Sequence, residues 1–242
     1  EEALKYFRMA SSKGNSNSMN NCGYMYENGL GTSADIIEAS KYYKMSADKG
    51  NVKAMLNYIR IISQYSNDKE EEIKYLKMAA DHGSVDSMVK YGLMLISGDG
   101  GVDVNEKEAL KYLTAAAKRG NERSLYLCGY MHQNGIGTTE NKEEAVKFYK
   151  LGIQKGNTQA MVKYGDMLYN GDGVAVNKEE AIKCYEMAAS SGNVDGLRKY
   201  GQMVENGEGT DKNEDLALNI YKTAIQNDDD ESINNIQYSV EN

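Results

Sequence analysis

The 242-residue chain is 40% hydrophobic and 26% charged, with 24 glycines and neither proline nor tryptophan. That composition argues for a folded core and against disorder, and no apolar run approaches the ~18 residues of a membrane helix. The net charge of −8 has the wrong sign for the basic excess that displaces counterions from nucleic acid.

In chain order, two phrases alternate. Glu1–Asn15 reads Glu-Glu-Ala-hydrophobic-Lys-Tyr and closes on Lys-Gly-Asn, and Asn15–Gly31 carries the second phrase. The first returns at Glu38–Asn51, Glu71–Ser84, Lys107–Asn121, Glu143–Asn157 and Glu179–Asn193, and loosely at Glu214–Asp228. The second returns at Ser84–Gly100, Asn121–Gly137, Asn157–Gly173 and Asn193–Gly209. Closing glycines at 14, 50, 83, 120, 156 and 192 are spaced by 36, 33, 37, 36 and 36 residues, and self-similarity at such a period marks a repeat architecture.

Each phrase has helical spacing. Ala160, Met161, Tyr164, Gly165 and Leu168 share one stripe of the second phrase, helix A; Ala181, Ile182, Tyr185, Ala188 and Ala189 share one of the first, helix B. Gly-x-Gly stands between A and B at 29/31, 135/137, 171/173 and 207/209, where the chain must turn back. Helix B opens on acidic residues such as Glu143 and Glu144, which complement the positive end of a helix dipole.

A lone hairpin cannot bury its apolar stripe, so the hairpins must stack into an all-α, right-handed solenoid with repeats of about 36 residues. The boundaries read as a half-repeat 1–14, hairpins 15–50, 51–83, 84–120, 121–156, 157–192 and 193–228, and a half-repeat 229–242 entering a helix A at Ser232–Val240. Interior columns are legible as alanines at 3, 39, 109, 145, 181 and 217, glycines at 23, 92, 129, 165 and 201, and tyrosines at 43, 149, 185 and 221. The second hairpin departs from the pattern: Ile59 stands in the glycine column, and Ser66-Asn67 replaces the Gly-x-Gly loop.

A hairpin of this length, with Gly-x-Gly between its helices and an Ala-Ala-x-x-Gly-like end (Ala188, Ala189, Gly192), resembles the Sel1-like repeats of the tetratricopeptide superfamily. The resemblance covers essentially the whole chain. It implies a non-catalytic protein-interaction scaffold or adaptor, as in ubiquitin-ligase and signalling complexes. The alternative is a regulatory array joined to an enzyme domain, such as a protein kinase, outside this segment. Relatives that staple each hairpin with a disulfide differ from this chain, whose Cys22, Cys128 and Cys184 lie in slots whole repeats apart. Three reduced thiols, and the absence of any Asn-x-Ser/Thr sequon, fit a reducing, cytoplasmic setting. The opening Glu-Glu-Ala-Leu lacks the basic and apolar regions of a signal peptide, and without an initiator methionine the segment reads as part of a longer chain.

No catalytic, cofactor or metal residue is expected. The glycine-rich loops lack a preceding strand and a following Gly-Lys-Ser/Thr, so they read as turns and not as phosphate cradles. Asp99–Leu110 has Val104 and Leu110 where a calcium loop needs glycine and glutamate. His82 and His132 have no evident nucleophile to serve.

What remains is a groove lined by helix A. Its varying outward positions supply the candidate partner-binding residues: Asn20, Asn21 and Tyr24; Asn57 and Arg60; Lys90; Tyr126 and Tyr130; Lys163 and Asp166; Arg198, Lys199 and Gln202. Leu56, Val89, Leu93, Leu127 and Val162 share those columns. Counting outward helix A charges gives seven basic residues (Lys53, Arg60, Lys90, Arg123, Lys163, Arg198, Lys199) against four acidic ones (Asp86, Glu122, Asp166, Asp195), so protein or peptide ligands carrying Asp or Glu are expected.

Overall fold

The computed structural model describes residues 1–66 and 68–240, with side chains described as far as residue 227. Every regular element among them is helical. The chain folds as two units, Glu1–Arg119 and Gly120–Asn242.

The first unit holds α1 (Glu2–Ser12), α2 (Ser16–Glu27), α3 (Ile36–Ala47), α4 (Val52–Tyr65), α5 (Lys69–Asp81), α6 (Val85–Ser97) and α7 (Glu106–Ala117). The second holds α8 (Glu122–Asn134), α9 (Lys142–Gln154), α10 (Thr158–Asn170), α11 (Lys178–Ser190), α12 (Val194–Asn206) and α13 (Glu214–Val240). Within each unit every helix packs on the next, as stacked hairpins require. Even-numbered helices are helix A; odd-numbered ones are helix B.

Capping explains where the helices start. After each closing glycine, held at positive φ, the next side chain accepts a backbone N–H three residues on. Asn15, Asn51, Ser84, Asn121, Asn157 and Asn193 do this for the helices A. Asp35, Asp68, Asn105, Asn141, Asn177 and Asn213 do it for the helices B.

Glycine and tyrosine columns meet inside each regular hairpin. A Cβ on Gly23, Gly129, Gly165 or Gly201 would lie 2.6–2.7 Å from the ring of Tyr43, Tyr149, Tyr185 or Tyr221. Gly92 is less tightly matched, with Leu113 at 3.0 Å. The alanine column is fully buried at 39, 109, 145 and 181, but Ala3, on the outermost helix of the first unit, is exposed. In the second hairpin Glu72 takes the alanine slot; it is buried and accepts from Lys69 and Lys90.

That hairpin is also short in its loop. Residues 66–68 alone separate α4 from α5, against 171–177 between α10 and α11. At the far end, α13 runs through Asp228, where no glycine breaks it, so the half-repeat expected at 229–242 continues the same helix as far as Val240; its side chains and residues 241–242 lie outside the described residues. All three cysteines are buried thiols, and burial pushes Cys22 and Cys184 up to about 11.

The Gly–Tyr contact is testable. Gly165→Ala places a methyl against Tyr185, which is buried and held at its hydroxyl by Asp166 at 2.8 Å. Overpacking of this kind costs ~1–3 kcal/mol, more than the ~1 kcal/mol of helix propensity that alanine brings. Urea denaturation should therefore show a net loss of stability; a gain would contradict the close approach.

Candidate partner-binding faces

Helices α2, α4 and α6 carry the candidate face of the first unit, and α8, α10 and α12 that of the second. Neighbouring helices A are tied by polar side chains. Asn57 Nδ2 donates to Asn20 Oδ1 at 3.1 Å, and Arg60 Nη2 to Glu27 Oε1 at 2.6 Å. In the second unit Lys199 Nζ donates to Asp166 Oδ1 at 2.8 Å, and Asn193 Nδ2 to Thr158 Oγ1 at 3.2 Å.

Of the expected residues, Tyr24 is 54% exposed and Tyr130 38%, each a large apolar surface left in water. Asn20, Asn21, Asn57, Tyr126, Lys163, Asp166 and Lys199 are half-buried; Arg60, Lys90, Arg198 and Gln202 are exposed. Tyr126 packs its ring 6.4 Å from Tyr130 and 6.3 Å from Tyr149, and burial raises its pKa. Gln202 joins two cavities: one of about 180 Å³ with Asp166, Tyr169 and Lys199, and one of about 520 Å³ with Arg198, Glu205, Tyr221 and Ile225.

Two sequence expectations change here. Val89 and Val162 share a column with outward residues yet are buried, whereas Leu56 in the same column is 40% exposed. Part of the positive charge is also already committed to carboxylates. Glu27 binds Arg60, Glu72 binds Lys90, and Glu205 lines the cavity beside Arg198. Glu27 and Glu205 lie one helical turn beyond the columns counted from sequence, and Glu72 reaches in from helix B. Arg198 also meets Asp195 at 3.3 Å. Among the described residues, Lys53, Arg123 and Lys163 make no ion pair.

The Sel1 repeat family model matches residues 1–15, 16–51, 69–84, 85–121, 123–157, 158–193 and 194–229. The chain belongs to the Sel1 repeat family. The gap at 52–68 falls on α4 and the shortened loop, where Ile59 displaces the glycine.

Solved structures agree on the fold. A protective antigen of uropathogenic Escherichia coli strains that displays an SLR fold superposes with a TM-score of 0.75 at 22% identity, covering 92% of this chain and 48% of its own. The present chain thus spans about half the length of that protein. A Sel1 repeat protein from Oxalobacter formigenes gives 0.65 at 25% identity, covering 87% and 85% respectively. No curated protein matches the chain. Sel1 repeats are generally protein-interaction scaffolds and typically non-catalytic. Among the described residues no helix is long and apolar enough to cross a membrane, and no cluster of His, Cys, Asp and Glu has the makings of a metal site.

Tyrosine hydroxyls tie these Sel1 repeats together through acceptors. Tyr43 donates to Glu27 at 2.8 Å, Tyr149 to Gln133 at 2.8 Å, and Tyr221 to Glu205 at 2.8 Å, each sixteen residues earlier. For Tyr185 that slot holds Tyr169, so its hydroxyl turns to Asp166. Tyr75 and Tyr112 reach instead to Asp48 and Asp81, at the end of the preceding helix B. Tyr58 donates to Glu71 at 2.8 Å, and burial, then the bond to carboxylate, pushes Tyr58 and Tyr221 up to about 12, against ~10 for a free tyrosine. A raised acid pKa contributes stability that is whole below pH ~10 and is lost as pH climbs through the folded value. Absorbance titration at 295 nm should show these rings ionising late and together with loss of helical CD. Smooth titration of all tyrosines near pH 10, with helix retained, would contradict the network.

Proposed function

We propose that this Sel1 chain is a non-catalytic scaffold or adaptor whose helix A faces hold segments of partner proteins. The observation that carries this reading is the pair Tyr126–Tyr130 beside α10. Two tyrosines in ring contact, of which Tyr130 is 38% exposed, stand on this face. Tyrosine contributes large, rigid area and frequently anchors interfaces.

Lys163 on α10 and Arg123 on α8 are uncommitted cations on this face, whereas Arg198 and Lys199 are already paired with Asp195 and Asp166. The favoured ligand is therefore a peptide with an apolar anchor on the tyrosines and Asp or Glu toward Lys163. Charge at a solvated rim sets association rate and salt sensitivity more than affinity. The three buried thiols support a reducing compartment.

Peptide arrays probed with the intact chain test the proposal. Retained peptides should carry Asp or Glu beside an aromatic or aliphatic residue and should weaken as salt rises. Tyr130→Ala should cost ~2 kcal/mol, about 30-fold in affinity, and Lys163→Glu should reduce binding without disturbing an internal ion pair. Basic ligands, or binding indifferent to both changes, would refute it.

A further inference from the structure

A second cleft lies between α3 and α4, lined by none of the candidate partner-binding residues named above. Its volume is about 280 Å³, with Tyr58, Ile61 and Ile62 as a buried floor and Ile36, Ile37 and Tyr65 around it. Ile37 is 68% exposed and Tyr65 62%.

Internal comparison explains why this place is open. In regular repeats the second glycine of the loop packs on the start of the preceding helix B. Gly31 approaches Glu1, Gly173 approaches Lys142, and Gly209 approaches Lys178, so closely that no Cβ fits. The loop that would cover the start of α3 is the one cut down to residues 66–68. Where the later helices B begin with two charged residues (Lys69-Glu70, Glu106-Lys107, Lys142-Glu143, Lys178-Glu179, Glu214-Asp215), α3 begins with Ile36-Ile37. A shortened loop and an aliphatic pair thus coincide at one spot. An exposed isoleucine, a half-buried one and an exposed tyrosine side by side form a patch of the kind that marks interaction sites.

Charge narrows the occupant. Lys41 and Lys44 are the charged residues lining the cleft, and no carboxylate lines it. Each lysine meets one carboxylate from outside, Glu38 and Glu71. Lys41 keeps 64% of its side chain in solvent, where an ion pair is weak and exchangeable. The equivalent cleft of the second unit, between α11 and α12, has Glu179 and Glu186 in the places of Ile37 and Lys44, and loop residues Asp211 and Lys212 at its edge. The first is apolar and basic; the second is mixed. Small-molecule sites run ~300–1,000 Å³, so a space of about 280 Å³ matches one or two side chains of a larger partner better than a whole small ligand.

We propose that the cleft between α3 and α4 docks a short peptide segment of a partner protein, inserting two apolar side chains against Ile37, Ile62 and Tyr65 and setting a carboxylate near Lys41. This site is independent of the helix A faces, so its failure and theirs are separate results.

The test is selection from a random 12-residue display library on the intact chain, with counter-selection on the Ile37→Glu/Tyr65→Ser double variant. Both positions are exposed, and a glutamate in the first turn of a helix suits its dipole. Helical CD and the urea midpoint establish that the variant folds. Enriched peptides should pair two apolar residues with Asp or Glu and bind the double variant at least ten-fold more weakly. Leu151→Glu, an apolar surface change in the second unit, should not alter their binding. Three results would overturn the proposal: no peptide that discriminates, enrichment of basic peptides, or sedimentation showing a dimer that the double variant abolishes, which would make a second copy the occupant.

Discussion

Close approach of paired helices is the constraint on which the repeats rest. A hairpin of two short helices has little apolar surface of its own, so it must bring its helices near enough to bury what it has. Glycine in helix A removes a side chain where the helix B tyrosine ring needs the room: the rings of Tyr149, Tyr185 and Tyr221 occupy the space of the absent Cβ atoms of Gly129, Gly165 and Gly201. That same tyrosine then needs a partner for its hydroxyl, since an unpaired buried polar group is costly. Its reach to position 133, 166 or 205 fixes an acceptor on helix A. Packing therefore dictates part of the polar pattern on the candidate face.

This coupling also explains how much of the protein was legible in the sequence. Period, helix phrases, glycine loops and the alanine, glycine and tyrosine columns could be read because each arises from spacing along one chain. The face charges could not. Whether Glu27, Glu72 and Glu205 belong to that face depends on side-chain reach between helices, which spacing within a helix does not encode. Likewise the many asparagines drew no structural role from sequence, although Asn105, Asn141 and Asn177 directly precede acidic helix starts and cap them. That signal was present, in the cap preferences of helix N-termini. The burial of Val89 and Val162 was not, because a solvated column and an interhelical one have the same period.

In the second hairpin the constraint is relaxed. Ile59 fills the glycine site and Leu76 stands where regular hairpins have tyrosine. The alanine slot becomes a buried glutamate clamped by two lysines, and the loop shrinks. These departures lie together in one hairpin, which the family pattern partly omits. Uncovering the start of α3 turns a point of packing into an accessible apolar surface. In an array of near-identical units, the irregular one is where a distinct binding surface is least constrained by stacking.

A double-mutant cycle in that hairpin addresses the glycine–tyrosine constraint most directly. Ile59→Gly alone removes a buried side chain, and Leu76→Tyr alone forces a ring against Ile59; each should destabilise the protein in urea. Together they recreate the regular pairing, so the double variant should be more stable than the sum of the singles predicts, by on the order of 1–3 kcal/mol as for residues in direct contact. Additive losses would contradict the account, since the glycine and the aromatic ring would then be independent features of the repeat.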